Sequence, residues 1–275
     1  MIKIELTNLA KSFDDKLVLR DVNLKVNEGE TLVVIGRSGC GKSVMLKNIL
    51  GLLKPDDGRI FVDGEDITGF AEHELYRIRK KFGFLFQGAA LLDSLTVGNN
   101  IGLGLVEHTT HPPEEIARIV AEKLEMVGMP GIEGDMPADL SGGMKKRVGL
   151  ARAIAMEPEI VLYDEPTTGL DPIMADSINE LIIHLKNELN ITSVVVTHDM
   201  SSVRKVADRV AMLYEGEIIF DGPVDEIETT DDRVVRQFVE GRADGPIKPA
   251  FMQYLVKKEP TKRSRESGRR DVKYQ

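Results

Sequence analysis

The segment Gly36-Arg37-Ser38-Gly39-Cys40-Gly41-Lys42-Ser43 has residue types and a spacing suited to one task, holding phosphate. Its glycines let successive backbone N–H groups converge on phosphate oxygens, and a helix starting at the lysine adds its positive end. Lys42 is placed to reach the β- and γ-phosphates of a nucleotide, and the Ser43 hydroxyl to ligate Mg²⁺. The loop from Gly36 to Val44 is the expected cradle, with Cys40 a small space-filler in it and not a reactive thiol. A glycine-rich turn alone is weak evidence. This one follows an apolar strand and precedes a helical pattern, the context the chemistry needs.

A second feature is a pair of acids. The run Ile160-Val161-Leu162-Tyr163 ends in Asp164-Glu165, which puts two carboxylates at the carboxyl edge of a parallel sheet, where such sheets bind ligands. An acidic pair after a strand is commonly a solvated turn, but a phosphate loop upstream provides it with a role. Asp164 is expected to hold Mg²⁺ through water. Glu165 is expected to orient or deprotonate the attacking water, a role worth roughly 10² to 10⁴ in rate. His73, His108, His111 and His184 lack metal-ligand spacing, and Met126, Met129 and Met136 read as core filler.

These groups need elements to position them. Ile2, Ile4 and Leu6 alternate with Lys3, Glu5 and Thr7, the period of a half-buried strand, and a similar segment covers about residues 17–26. The two predict an antiparallel sheet. Leu32-Val33-Val34-Ile35 shows no alternation, which suits a strand buried on both faces, and residues 43–52 read as the helix after the loop. Further β-branched runs at 160–163, 192–196 and 209–213 are separated by helical patterns such as 173–189. That alternation builds a wound parallel sheet. Residues of about 94–156 are mostly helical, with Pro112-Pro113 opening one helix and 128–137 forming a loop. The expected fold is α/β: a phosphate-loop nucleotide-hydrolase core with a mixed sheet, an antiparallel β subdomain and an inserted α-helical subdomain.

The 275 residues, 42% of them apolar, suffice for one large α/β domain. The net charge of -9 argues against a protein that coats nucleic acid. Residues 241–275 hold ten Lys/Arg against four Asp/Glu, a local balance of +6 that leaves -15 for residues 1–240. A domain of 2–240 and a basic extension of 241–275 are therefore expected. The extension's basic excess suits anionic headgroups, its apolar stretch 251–256 suits a partner subunit, and its composition equally suits a solvated tail. One cysteine permits no intrachain disulfide and fits a reducing compartment. No stretch of about 18 apolar residues occurs, so no membrane span is expected.

Leu140-Ser141-Gly142-Gly143-Met144, followed by a helix containing Arg147 and Arg152, resembles the signature of ATP-binding cassette proteins. Other pieces fall in that family's order over about residues 2–225. The resemblance implies that Phe13 stacks on adenine, Gln87 is the lid glutamine and a metal ligand, Gly169-Leu170-Asp171 is a dimer-contact loop, and His198 is a switch histidine acting with Glu165 and Lys42 in catalysis. It further implies that Ser141, Gly142 and Gly143 bind the γ-phosphate of ATP held by a second subunit, so that ATP joins a homodimer. Three departures stand out: Val44 replaces a second hydroxyl, Met144 a glutamine, and Asn99 a common glutamate.

The stretch 87–97, with Met144 and the Gly-Lys-Ser-Val variant, is similar to the ATPases of Mla/Mce-type lipid transport systems. That likeness implies ATP and Mg²⁺ as cofactors, a transmembrane permease and an Mce-type or other substrate-binding protein as partners, and a peripheral place on the cytoplasmic face of the inner membrane. Amino-acid or other small-solute importers, and cell-envelope regulators, remain alternative settings for the same ATPase.

Overall fold

A computed structural model of the chain describes residues 1–248. The stretch 251–256 and the charged residues after it lie outside the described residues. The chain separates into two units, Met1–Thr230 and Asp231–Gln275.

The first unit carries two sheets. One is antiparallel, with strands β1 (Ile2–Phe13), β2 (Lys16–Asn27), β4 (Asp57–Val62) and β5 (Glu65–Asp66) in the order β2-β1-β4-β5. Alternation along β1 fails after Leu6, yet the strand continues. Asn8 takes a left-handed conformation at φ 50°, the register with β2 shifts between Leu6 and Leu9, and Leu9 is returned to the core fully buried. A bulge of this kind restores the inward face without ending the strand.

The other sheet is mixed. Strands β3 (Thr31–Ile35), β6 (Phe82–Leu85), β7 (Ile160–Asp164), β8 (Thr192–Thr197), β9 (Arg209–Tyr214) and β10 (Glu217–Pro223) take the order β10-β9-β3-β8-β7-β6. All neighbours are parallel except the β9–β10 hairpin. Every residue of β3, β7 and β8 is buried, which explains why their sequences run apolar without alternation. Helix α1 (Lys42–Ile49) follows β3, and its Met45, Leu46 and Ile49 join Leu32, Val34 and Leu162 in one core. Helix α2 (Glu72–Arg79) precedes β6.

Between β6 and β7 the chain leaves the sheet for three helices, α3 (Val97–His108), α4 (Pro113–Met126) and α5 (Gly142–Ile154). Pro113 stands at the first position of α4, where proline costs no hydrogen bond. Helices α6 (Pro172–Leu189) and α7 (Met200–Val206) complete the wound core. In the second unit, α8 (Arg233–Glu240) starts at an Asp232 cap and stops at Gly241. The Gln237 side chain there ties back to both main-chain polar groups of Ile247.

Candidate active site

Strand β3 delivers the chain to a loop that only glycine permits at two points. Gly36 has φ 155°, and a Cβ there would lie 2.4 Å from the Leu213 carbonyl oxygen; Gly41 has φ 112°, and a Cβ would lie 2.9 Å from Leu19. Both positions hold the backbone close against neighbouring strands. The loop ends at α1, whose N-terminus has no side-chain cap. By contrast α3, α5, α6 and α7 are capped by Thr96, Ser141, Asp171 and Asp199. An uncapped helix start leaves N–H groups and the positive end of the helix for an anion. Burial pushes the Cys40 thiol up, in keeping with a space-filler.

Five residues named from sequence come together in two small sets, Ser43 hydrogen-bonded to Asp164 and Glu165 held between Lys42 and His198. Lys42 Nζ donates to the Gly36 carbonyl at 2.8 Å and lies 3.4 Å from Glu165 Oε1. Ser43 Oγ donates to Asp164 Oδ1 at 2.8 Å. Glu165 Oε2 is 2.9 Å from His198 Nδ1 and accepts from Thr168 Oγ1 at 3.0 Å. Glu165 is 7% exposed and takes a left-handed φ of 50°. Such a conformation costs on the order of 1–3 kcal/mol in a non-glycine residue and clusters at working sites.

The two acids sit side by side with opposite electrostatics. Burial pushes both up. For Asp164 the Ser43 hydroxyl offsets only part of this and the carboxyl stays above its usual range. For Glu165 the His198 ring and the Lys42 ammonium more than offset it and hold the carboxyl below its usual range. One acid is thus kept ionised by its own chain, and the other is a buried carboxylate short of positive charge. Two environments pushing neighbouring carboxyls apart is the pattern of a divided catalytic task.

Asp164 and Ser43 fit a hard divalent cation. Their donors are a carboxylate and a hydroxyl, and Asp164 gains from any cation set beside it. Among the described residues no group of three or more His, Cys, Asp or Glu could hold a metal. A cation here would draw its other oxygens from phosphate and water, the usual habit of Mg²⁺.

Other expected residues stand apart from this set. Phe13 ends β1 and is 41% exposed, with the Lys11 ammonium 5.6 Å from its ring centre. Gln87 is exposed, and its main-chain carbonyl accepts a hydrogen bond from Lys146. Ser141 and Gly142 are exposed and Gly143 buried. Ser141 Oγ caps its own helix at Met144 N, 3.3 Å away, and among the described residues no hydrogen bond links it to the phosphate loop. Thr168 was not singled out from sequence, although its place three residues after Glu165 in a turn is where a hydroxyl reaches back. Lys146, buried in α5, was also missed.

Residues 19–168 match the family model described as "ABC transporter". The chain is 44% identical over 246 residues to the "Probable ribonucleotide transport ATP-binding protein mkl" of Mycobacterium leprae, covering 90% of this chain and 71% of that protein. It is 40% identical over 245 residues to the "Intermembrane phospholipid transport system ATP-binding protein MlaF" of Haemophilus influenzae, covering 89% of this chain and 93% of that one. Among solved structures, a dimeric ATP-binding cassette in a post-hydrolysis state with ADP and Pi superposes with a TM-score of 0.75 at 34% identity, over 80% of this chain and 98% of that chain.

Proposed function

Given that the chain belongs to the ATP-binding cassette transporter family and is an ATP-hydrolysing subunit of it, we propose that it powers phospholipid transport through a membrane permease. The observation carrying this cargo is its identity to the Haemophilus influenzae MlaF protein along nearly the whole of both chains. No helix among the described residues is long and apolar enough to cross a membrane. The span belongs to a partner, and the ATPase sits at the cytoplasmic face of that permease. An Mce-type or similar substrate-binding protein completes the assembly.

The geometry supports the following division of roles within the domain. The Gly36–Val44 backbone, with Arg37, Ser38, Gly39 and Cys40, wraps the phosphates, and the N-terminus of α1 points its free amides at them. Lys42 meets the β- and γ-phosphates in exchange for its contact with Glu165. Phe13 offers its exposed ring to adenine. Ser43 and Asp164, with Gln87 from the lid segment, would hold Mg²⁺, which supplies charge neutralisation on the phosphate oxygens. Glu165, ionised and released from Lys42, orients the attacking water and takes its proton, and His198 holds Glu165 Oε2 in place. The exposed Ser141 and Gly142, with the buried Gly143 behind them, meet the γ-phosphate of a second copy. Binding of ATP closes the dimer, and hydrolysis removes the phosphate that holds it.

Affinity purification of the tagged chain from detergent-solubilised native membranes tests the cargo. A permease, an Mce-type protein and bound phospholipid are expected. A permease accompanied by a soluble receptor for nucleosides, amino acids or another small solute would leave the ATPase intact and overturn the lipid assignment. A membrane partner with no cargo protein and no lipid would favour a cell-envelope regulator.

A further inference from the structure

Lys146 is 4% exposed, and its ammonium has no carboxylate within ion-pairing distance among the described residues. It donates to two main-chain carbonyls, that of Gln87 and that of Glu165 at 3.2 Å. A buried ammonium is costly unless its hydrogen bonds are well made. This one is spent on the backbone of the two residues assigned to the lid and to the attacking water.

The rest of α5 explains the arrangement. Lys146, Gly149 and Arg152 fall at i, i+3 and i+6, one face of the helix. Arg152 donates to the carbonyls of Ala90 at 2.7 Å and Ala89 at 2.5 Å, both residues in left-handed conformation. A Cβ on Gly149 would meet the Ala89 Cβ at 3.2 Å. This face therefore grips the lid segment 87–90. At its N-terminus the same helix abuts the first turn of α6 and the turn after Glu165: a Cβ on Gly143 would lie 2.6 Å from Met174 Cε, and one on Gly142 3.7 Å from Leu170. Lys146 lies one turn below Ser141–Gly143 and joins the two contacts.

We propose that Lys146 is a positioning residue that couples the signature end of α5 to the Gln87 and Glu165 backbones of the same subunit. A γ-phosphate from the second copy that engages Ser141–Gly143 moves or stiffens α5, and Lys146 carries that change to the two groups facing the subunit's own ATP. Closure of one site thereby sets the geometry of the other. Lys146 touches neither nucleotide, so its loss should slow turnover more than it weakens binding.

The inference rests on the ATPase reading, and wild-type protein with Glu165→Gln as its inactive control tests that reading first. Lys146→Met, Lys146→Arg and, as comparator, Arg152→Met are then assayed in the full chain for steady-state ATPase and for binding of a fluorescent ATP analogue. Lys146→Met is expected to lower kcat at least about tenfold with KM and analogue affinity within about threefold of wild type. Lys146→Arg, which keeps both donors, restores kcat to within about threefold, and Arg152→Met falls between. Should Lys146→Met not fold, Lys146→Gln replaces it with the same expectation. A neutral variant that retains kcat within twofold overturns the proposal. So does one that loses kcat and ATP affinity in parallel, or an Arg variant that rescues nothing.

Discussion

Two helix N-termini to which the proposed function gives the same kind of anion are built in opposite ways. Helix α1 starts without a side-chain cap behind a loop whose tight backbone is made possible by Gly36 and Gly41. Around it Ser43 is already hydrogen-bonded to Asp164, and Glu165 is already paired with Lys42 and His198. Helix α5 starts under its own Ser141 cap, with Ser141 and Gly142 exposed and Gly143 buried, and among the described residues no carboxylate is bonded there. The first end is equipped to hold a triphosphate from within its own chain. The second is a surface whose Ser141 oxygen accepts from its own helix while its O–H stays available to donate to a phosphate. On the proposed reading, that asymmetry is why the ATPase works as two copies, each lending its signature end to the phosphate end of the other.

The comparison can be broken first at the chemistry. Glu165→Gln keeps size and hydrogen bonding but removes the base, and is expected to lower kcat by roughly 10² to 10⁴, measured by phosphate release. A smaller loss would return Glu165 to a merely structural role.

The two ends should also separate by ligand affinity. Lys42→Ala, which strips the cation from the phosphate loop, is expected to weaken ATP binding to the isolated chain by about a hundredfold or more. Ser141→Ala should leave that affinity within about twofold. Its cost falls on the fold: losing the cap removes about 1 kcal/mol and lowers Tm by about 2–4 °C. Equal effects on affinity would erase the distinction drawn here, and calorimetric titration with a melting curve on each variant reads both.

The smallest expected effect is on pH dependence. Burial raises the Glu165 carboxyl, but His198 and Lys42 hold it below the ordinary 4.5. A depressed folded value stabilises the fold above the unfolded value, and this contribution is lost as pH falls through the folded value. Wild type should therefore lose more stability on acidification below 4.5 than His198→Ala does. Superimposable acid melting profiles would mean that His198 does not hold Glu165 ionised.

What was legible in the sequence follows the same divide. The phosphate-loop end is local, with Gly36 to Ser43 contiguous and flanked by β3 and α1, so residue types and spacing sufficed to find it. Asp164 and Glu165 were found because a fully buried strand runs straight into them. The extension of β1 past Leu6 was not, because it depends on a bulge at Asn8 that tertiary pairing with β2 and β4 stabilises. The helix expected over 43–52 ends earlier, at Ile49, because Gly51 at φ 64° turns the chain back to Lys47 and Asn48. Strand β6, with Phe82-Gly83-Phe84-Leu85, is too short to declare a period. Lys146 was invisible for another reason: a lysine on a charged helix face looks solvated until the tertiary fold brings two carbonyls to it.

The central claim, that the signature end of one copy completes the phosphate end of another, is tested most directly by light scattering on Glu165→Gln. Without nucleotide the protein should have the mass of one 30.5 kDa chain, and with ATP it should double. A single-chain mass in both conditions would contradict the account.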